Sequence, residues 1–116
     1  MVYAANEVRR VGLVGGGVIG TGWAVRCLAQ GLDVSMTDPG DGVEDRTRAD
    51  IERIWPVMEQ VGLCQGASLD RFSFHPTIEE AVAEAQFVQE NVPEREELKT
   101  QVIADISRHV SPEAVI

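Results

Sequence analysis

The order of apolar runs and helical patterns in this sequence predicts a doubly wound α/β fold: a parallel sheet of order 3-2-1-4-5 with helices on both faces. Three observations predict it. Strand-like and helix-like stretches alternate from one end of the chain to the other, the pattern of a parallel sheet joined by right-handed crossovers. The first strand-like stretch, Val8 to Val14, is almost continuously apolar, as in a strand buried on both faces. Three consecutive glycines, Gly15-Gly16-Gly17, separate it from the first helical pattern.

The first helix reads from Val18 to Gln30. Val18, Val25, Leu28 and Leu32 fall near one face, with Ile19, Trp23 and Cys27 beside it at four-residue spacing. Gly31 stands where a helix C-cap belongs. Leu32 to Thr37 is the second strand, closed by the turn signal Asp38-Pro39-Gly40. A long helix starts at Asp41 or Asp45 and runs toward Val61, with Ile51, Ile54, Met58 and Val61 at helical spacing. Pro56 is expected to kink or divide it, and Gly62 to end it. Asp70 to His75 alternates Phe72 and Phe74 and reads as the third strand. Thr77 and Glu80 have capping-box spacing and open a short helix after Pro76. Ala85 to Gln89 is the fourth strand, and Pro93 closes it. Glu94 to His109 is amphipathic through Leu98, Val102, Ile103 and Ile106, and Ser111-Pro112 ends it. Ala114 to Ile116 reads as the opening of a fifth strand, so the chain is expected to be one domain, residues 1–116, of a longer protein truncated at that strand.

Composition narrows the function classes. A chain of 116 residues is one domain, and 44% hydrophobic with 25% charged residues is a globular balance rather than a disordered one. A net charge of −9 argues against nucleic acid and anionic membrane as partners, since both are held by basic patches. Arg9-Arg10 is the densest basic spot and reads as a solvated strand start. Cys27 and Cys64 lack the close spacing of a metal or redox pair. Two such thiols suit a reducing compartment, and no signal peptide or bilayer-length apolar run is evident, so the cytoplasm is expected.

Gly15, Gly17 and Gly20 fit G-x-G-x-x-G, in the required context between a strand and a helix. Gly15 would allow the tight turn, Gly17 would leave room for a pyrophosphate, and Gly20 would let helix and sheet pack closely. The helix N-terminus then offers free N–H groups and partial positive charge to phosphates. Gly16 adds backbone freedom that the motif does not need. Asp38 follows at the end of the second strand, at about the 20-residue spacing where a dinucleotide fold of the Rossmann type places an acid on the adenosine ribose. A carboxylate there repels a 2′-phosphate and so favours NAD over NADP. Arg46 and Arg48 stand nearby in an acidic stretch and read as solvated helix charges. Loop and acid alone also admit FAD or S-adenosylmethionine.

The stretch GGGVIGTGWAVRCLAQGLDVSMTDPG resembles the 3-hydroxyacyl-CoA dehydrogenase family, and Trp23 after Gly20-Thr21-Gly22 looks like its carnitine dehydrogenase and lambda-crystallin branch. The block FVQENVPEREELK, Phe87 to Lys99, is similar to the family's segment after the fourth strand. With GLCQGASLDRFSFHPTIEEAV and SPEAVI, the resemblance covers nearly the whole chain. It implies NAD as cofactor, with Gly15, Gly16, Gly17, Val18, Ile19 and Gly20 around the pyrophosphate and Asp38 on the adenosine ribose. It further implies that Glu94 and Lys99 reach the nicotinamide-side ribose; by spacing alone both read as helix-surface charges. Glu90 and Asn91 lie at the carboxyl end of the fourth strand, where ligands bind in open α/β sheets, with their roles open.

The resemblance implies an oxidoreductase that moves a hydride from a small 3-hydroxy acid, carnitine foremost, to NAD, with a homodimer as the parent assembly. Acyl-CoA and gulonate dehydrogenation are the alternatives within the family, and a non-catalytic NAD-binding module is the alternative outside it. The family's catalytic serine, its histidine–glutamate pair and its helical substrate domain follow the fifth strand, so no catalytic residue and no metal ligand is expected here. His75 and His109 do not match the catalytic histidine.

Overall fold

The computed structural model describes residues 7–92 and 96–116. Among them, strands β1 (Arg10–Val14), β2 (Asp33–Thr37), β3 (Phe72–His75) and β4 (Phe87–Glu90) form one parallel sheet of order β3-β2-β1-β4. Helices α1 (Gly17–Ala29), α2 (Val43–Val61), α3 (Ile78–Val82) and α4 (Glu96–His109) connect and cover it. The order agrees with the sequence reading. Val115 adds a single parallel bridge to Phe87, so the expected fifth strand is present as one paired residue beside β4.

The near-continuous apolar β1 is central and buried from Val11 through Val14 because both faces are covered. On one face Val11 and Leu13, with Val34 and Met36 of β2, pack under Ala24, Val25 and Leu28 of α1 and Ile51 of α2. On the other, Val14 and Val88 pack under Ala81 and Val82 of α3, Ala85 and Ile106 of α4. Each fully buried Leu or Met in these layers contributes roughly 1.5–3 kcal/mol.

Two expectations change. α2 is one helix from Val43 to Val61 that contains Pro56, so the proline does not divide it. The proline is on the exposed side, where helix hydrogen bonds already lengthen toward water, and Ile54, Trp55 and Met58 on the other side hold the helix to the core. Val18 and Ile19 continue the apolar spacing of α1, yet they are 91% and 67% exposed because they sit in its first turn, beside a groove rather than over the sheet. The N-cap half of the expected capping box is present: Thr77 Oγ1 accepts the Glu80 N–H at 3.2 Å, and the Glu80 carboxylate takes the Thr77 hydroxyl at 3.0 Å rather than the Thr77 N–H. Among the described residues, no helix is long and apolar enough to cross a membrane.

Candidate functional site

Parallel pairing brings the carboxyl ends of β1, β2 and β4 together, with Val14 opposite both Thr37 and Glu90. A groove of about 820 Å³ opens at that edge. The glycine loop, Asp38, the first turns of α2, the end of β4 and Lys99 line it.

One wall of the groove is backbone. The Gly15 N–H donates to the Thr37 carbonyl at 2.8 Å, and the Asn91 N–H donates to the Val14 carbonyl at 2.8 Å, which ties the loop between β2 and β4. Asn91 Nδ2 donates to the Gly15 carbonyl at 3.4 Å. Gly20, in the first turn of α1, lies so close to the loop that a Cβ there would strike the Gly15 carbonyl. The close approach served by Gly20 is therefore chiefly helix to loop, with the Met36 side chain next at 3.5 Å. Gly17 has φ +77°, and the space where its Cβ would stand is open to 4 Å. Gly16, as N-cap of α1, offers no side-chain cap, and the first turn carries no acid. The first N–H groups of α1 thus lack side-chain partners at the positive end of the helix dipole, the arrangement that receives a phosphate.

Asp38 joins this wall. Its Oδ2 accepts the Gly16 N–H at 2.7 Å and its Oδ1 accepts the Gly40 N–H at 2.8 Å. A carboxylate has about four acceptor sites, so two remain for a ligand's hydroxyls. Arg46 also lines the groove, with one guanidinium N–H on the Asp41 carbonyl at 3.2 Å. Arg48 pairs with Glu44 at 3.0 Å and covers the Phe72 ring, as expected of a helix-surface charge.

The opposite wall is side chain. Glu90 is mostly buried at 9% side-chain exposure; its Oε1 accepts the Val92 N–H at 2.6 Å and its Oε2 lies 3.4 Å from Lys99 Nζ. Lys99, at 32% exposure, reaches the groove from α4. Glu94 lies outside the described residues. An apolar depression of about 440 Å³ adjoins Asp38, lined by Pro39, Ile78, Val92, Leu98 and Val102 among others. His75 and His109 stand apart from the groove: His75 Nε2 lies 2.9 Å from Ser73 Oγ, and His109 Nε2 lies 3.3 Å from Asp105 Oδ1.

The structure therefore gathers Gly15–Gly20, Asp38 and Lys99 at one edge. Sequence reasoning missed Val43 and Thr47, which pack against the loop from α2 and line the groove, and the pairing of Glu90 with Lys99. The spacing of Val43, Thr47 and Ile51, four residues apart, carried the first signal; nothing local carried the second. The groove fits a pyrophosphate-bearing nucleotide: bare helix N–H groups, an open position at Gly17 and a carboxylate beside it.

The family described as 3-hydroxyacyl-CoA dehydrogenase, NAD binding domain, matches residues 10–116. L-carnitine dehydrogenase of Bacillus cereus is 50% identical over 111 residues, which are 96% of this chain and 34% of that protein. L-carnitine dehydrogenase of Burkholderia mallei is 52% identical over 103 residues, 89% of this chain and 32% of that protein. The chain spans about a third of the length of these curated relatives. The crystal structure of (S)-3-hydroxybutyryl-CoA dehydrogenase from Ralstonia eutropha superposes with a TM-score of 0.79 at 26% identity, covering 94% of this chain and 40% of that one. With the loop, the sheet order and the matched span in agreement, this chain belongs to the NAD-binding domain family of the 3-hydroxyacyl-CoA dehydrogenases.

Proposed function

We propose that this chain holds NAD for a dehydrogenase of small 3-hydroxy acids, with L-carnitine as the leading substrate. The observation that carries the reading is the uncapped start of α1 beside the open Gly17 position and the Asp38 carboxylate. In this reading the N–H groups of Gly17, Val18 and Ile19 take the pyrophosphate, and Gly15, Gly16 and Gly20 shape the loop that presents them. Asp38 accepts hydrogen bonds from the adenosine ribose hydroxyls and repels a 2′-phosphate. The apolar depression beside Asp38 takes the adenine ring. Lys99, together with Glu94, reaches the nicotinamide-side ribose.

Bound NAD supplies the hydride acceptor. In this reading the described residues orient it, and neither histidine lines the groove. The base that takes the substrate's hydroxyl proton belongs to a part of the enzyme beyond this chain, as the substrate domain and the homodimer contacts do. The carnitine reading rests on the relatives, 44–52% identical over most of the chain. Two free cysteines, one of them exposed, fit a reducing, cytoplasmic setting.

Titration with NAD and NADP, followed by calorimetry or by the fluorescence of Trp23 and Trp55, tests the reading. Saturable NAD binding is expected, with NADP weaker by about tenfold or more, roughly 1.4 kcal/mol. A folded chain that binds neither dinucleotide would overturn it.

A further inference from the structure

We propose that Asp38 is a positioning residue for the pyrophosphate half of the site, acting through Gly16, with Val43 of α2 as its backstop. The inference rests on the NAD reading and adds a second task to the carboxylate.

Both Asp38 oxygens already hold a backbone N–H, Gly16 at 2.7 Å and Gly40 at 2.8 Å. Bonds of this kind to an ionised acceptor are short and about twice as strong as neutral ones. Gly16 immediately precedes the N–H groups that open α1, so fixing its amide fixes the peptide plane that leads into them. The Gly16 N–H is turned to Asp38, which leaves the anion to the following amides.

A second observation comes from α2. A Cβ on Gly16 would lie 2.7 Å from Val43 Cγ1 and 3.3 Å from Thr47 Oγ1. A Cβ on Gly40 would lie 2.8 Å from Val43 Cγ2. The two glycines whose amides Asp38 binds are therefore the two against which the two methyl groups of Val43 pack. The carboxylate draws the glycine loop and the β2–α2 loop together, and the Val43 methyl groups, packed against both glycines, set how closely they approach. This explains the third glycine, which the G-x-G-x-x-G spacing leaves without a task. It also couples the halves of the site, since the residue facing the ribose sets the amides facing the pyrophosphate.

The test compares ADP with 2′,3′-dideoxy-ADP, which keeps the diphosphate and lacks the hydroxyls Asp38 would bind. Calorimetry on the chain and on Asp38→Ala, with circular dichroism to verify folding, gives the readout. The proposal expects Asp38→Ala to weaken dideoxy-ADP by about fivefold to tenfold, the scale of one lost hydrogen bond. Simple electrostatics expects the reverse, because removing a negative charge beside a diphosphate favours binding. Loss of ADP affinity with dideoxy-ADP unchanged or tightened would overturn the proposal and leave the NAD reading standing. A folded chain that binds neither nucleotide would overturn both.

If Asp38→Ala does not fold, Gly16→Ala carries the same question. Its methyl meets Val43, so dideoxy-ADP should weaken, and Gly16→Ala with Val43→Ala should recover to within about threefold of the parent, a residual under 1 kcal/mol. No recovery would overturn the backstop role.

Discussion

On the β1–β2 side of the groove the wall is backbone, shaped by glycines and held by main-chain amides and one carboxylate. On the β4 side it is side chain, with a mostly buried Glu90 between the Val92 amide and Lys99. The first wall depends on what is missing, a set of Cβ atoms for which there is no room or, at Gly17, whose space stands open. The second depends on what is present, a charged pair reaching from strand to helix. A wall of the first kind fails by intrusion, and one of the second kind fails by deletion.

The largest expected effect is intrusion at Gly20. Gly20→Val drives carbon into the Gly15 carbonyl, so the loop must open. NAD binding should disappear in calorimetry, and the urea midpoint should fall by the equivalent of about 1–3 kcal/mol. A variant that keeps both would break the contrast. Deletion at Glu90 comes next. Glu90→Ala leaves the Val92 amide without its acceptor and Lys99 without this partner, and is expected to cost about 1–3 kcal/mol of stability. Glu90→Gln keeps an acceptor for Val92 and should recover much of it; equal losses for the two variants would contradict the hydrogen-bond account. Gly17→Ala sharpens the comparison, because the fold leaves that position open. The positive φ costs the alanine about 1–2 kcal/mol, while NAD should weaken well beyond that, by more than about tenfold. Matching losses in stability and affinity would mean that the open space serves no ligand.

The smallest effect lies behind the backbone wall, in α1. Burial pushes the Cys27 thiol up from its ordinary value of 9.0 by disfavouring the thiolate. The unfolded chain therefore releases this proton first as the pH rises. Stability from this group is complete below pH 9 and is lost above it, at up to about 1.4 kcal/mol per pH unit until the folded thiol also titrates. Urea midpoints between about pH 8 and 10.5 should fall less steeply for Cys27→Ala than for the parent. Parallel curves would assign the alkaline limb to other groups.

The two walls also differ in how far the sequence discloses them. The strand order and the glycine loop were legible, because alternating apolar periods and glycine spacing are local signals that the backbone must obey. Asp38 was legible for the same reason, being tied to a strand end by a turn. The side-chain wall was legible only in part. Lys99 entered through the family resemblance and Glu90 through its place at the end of the fourth strand, but their pairing needs the parallel pairing of β1 with β4 and the docking of α4. Val18 and Ile19 misled in the opposite sense, since apolar period does not say where a helix clears its sheet. Pro56 does not divide α2, because it stands on the exposed side while Ile54, Trp55 and Met58 hold the helix to the core.

β1 lies at the centre of the sheet, and its second neighbour arrives late in the sequence. Gln86, just before β4, binds the Arg10 amide from 76 positions away, and its own amide donates to the Arg10 carbonyl. At about 5–20 residues per second, a ribosome needs roughly 4–15 seconds to deliver that partner. For that interval the nascent chain can offer β1 only one neighbour, β2. The most apolar strand of the molecule is thus born early and completed late, with one edge open to pairing with a second nascent copy. Translation speed between the glycine loop and Gln86 becomes a determinant of yield, and a pause after β2 is where a chaperone would matter most.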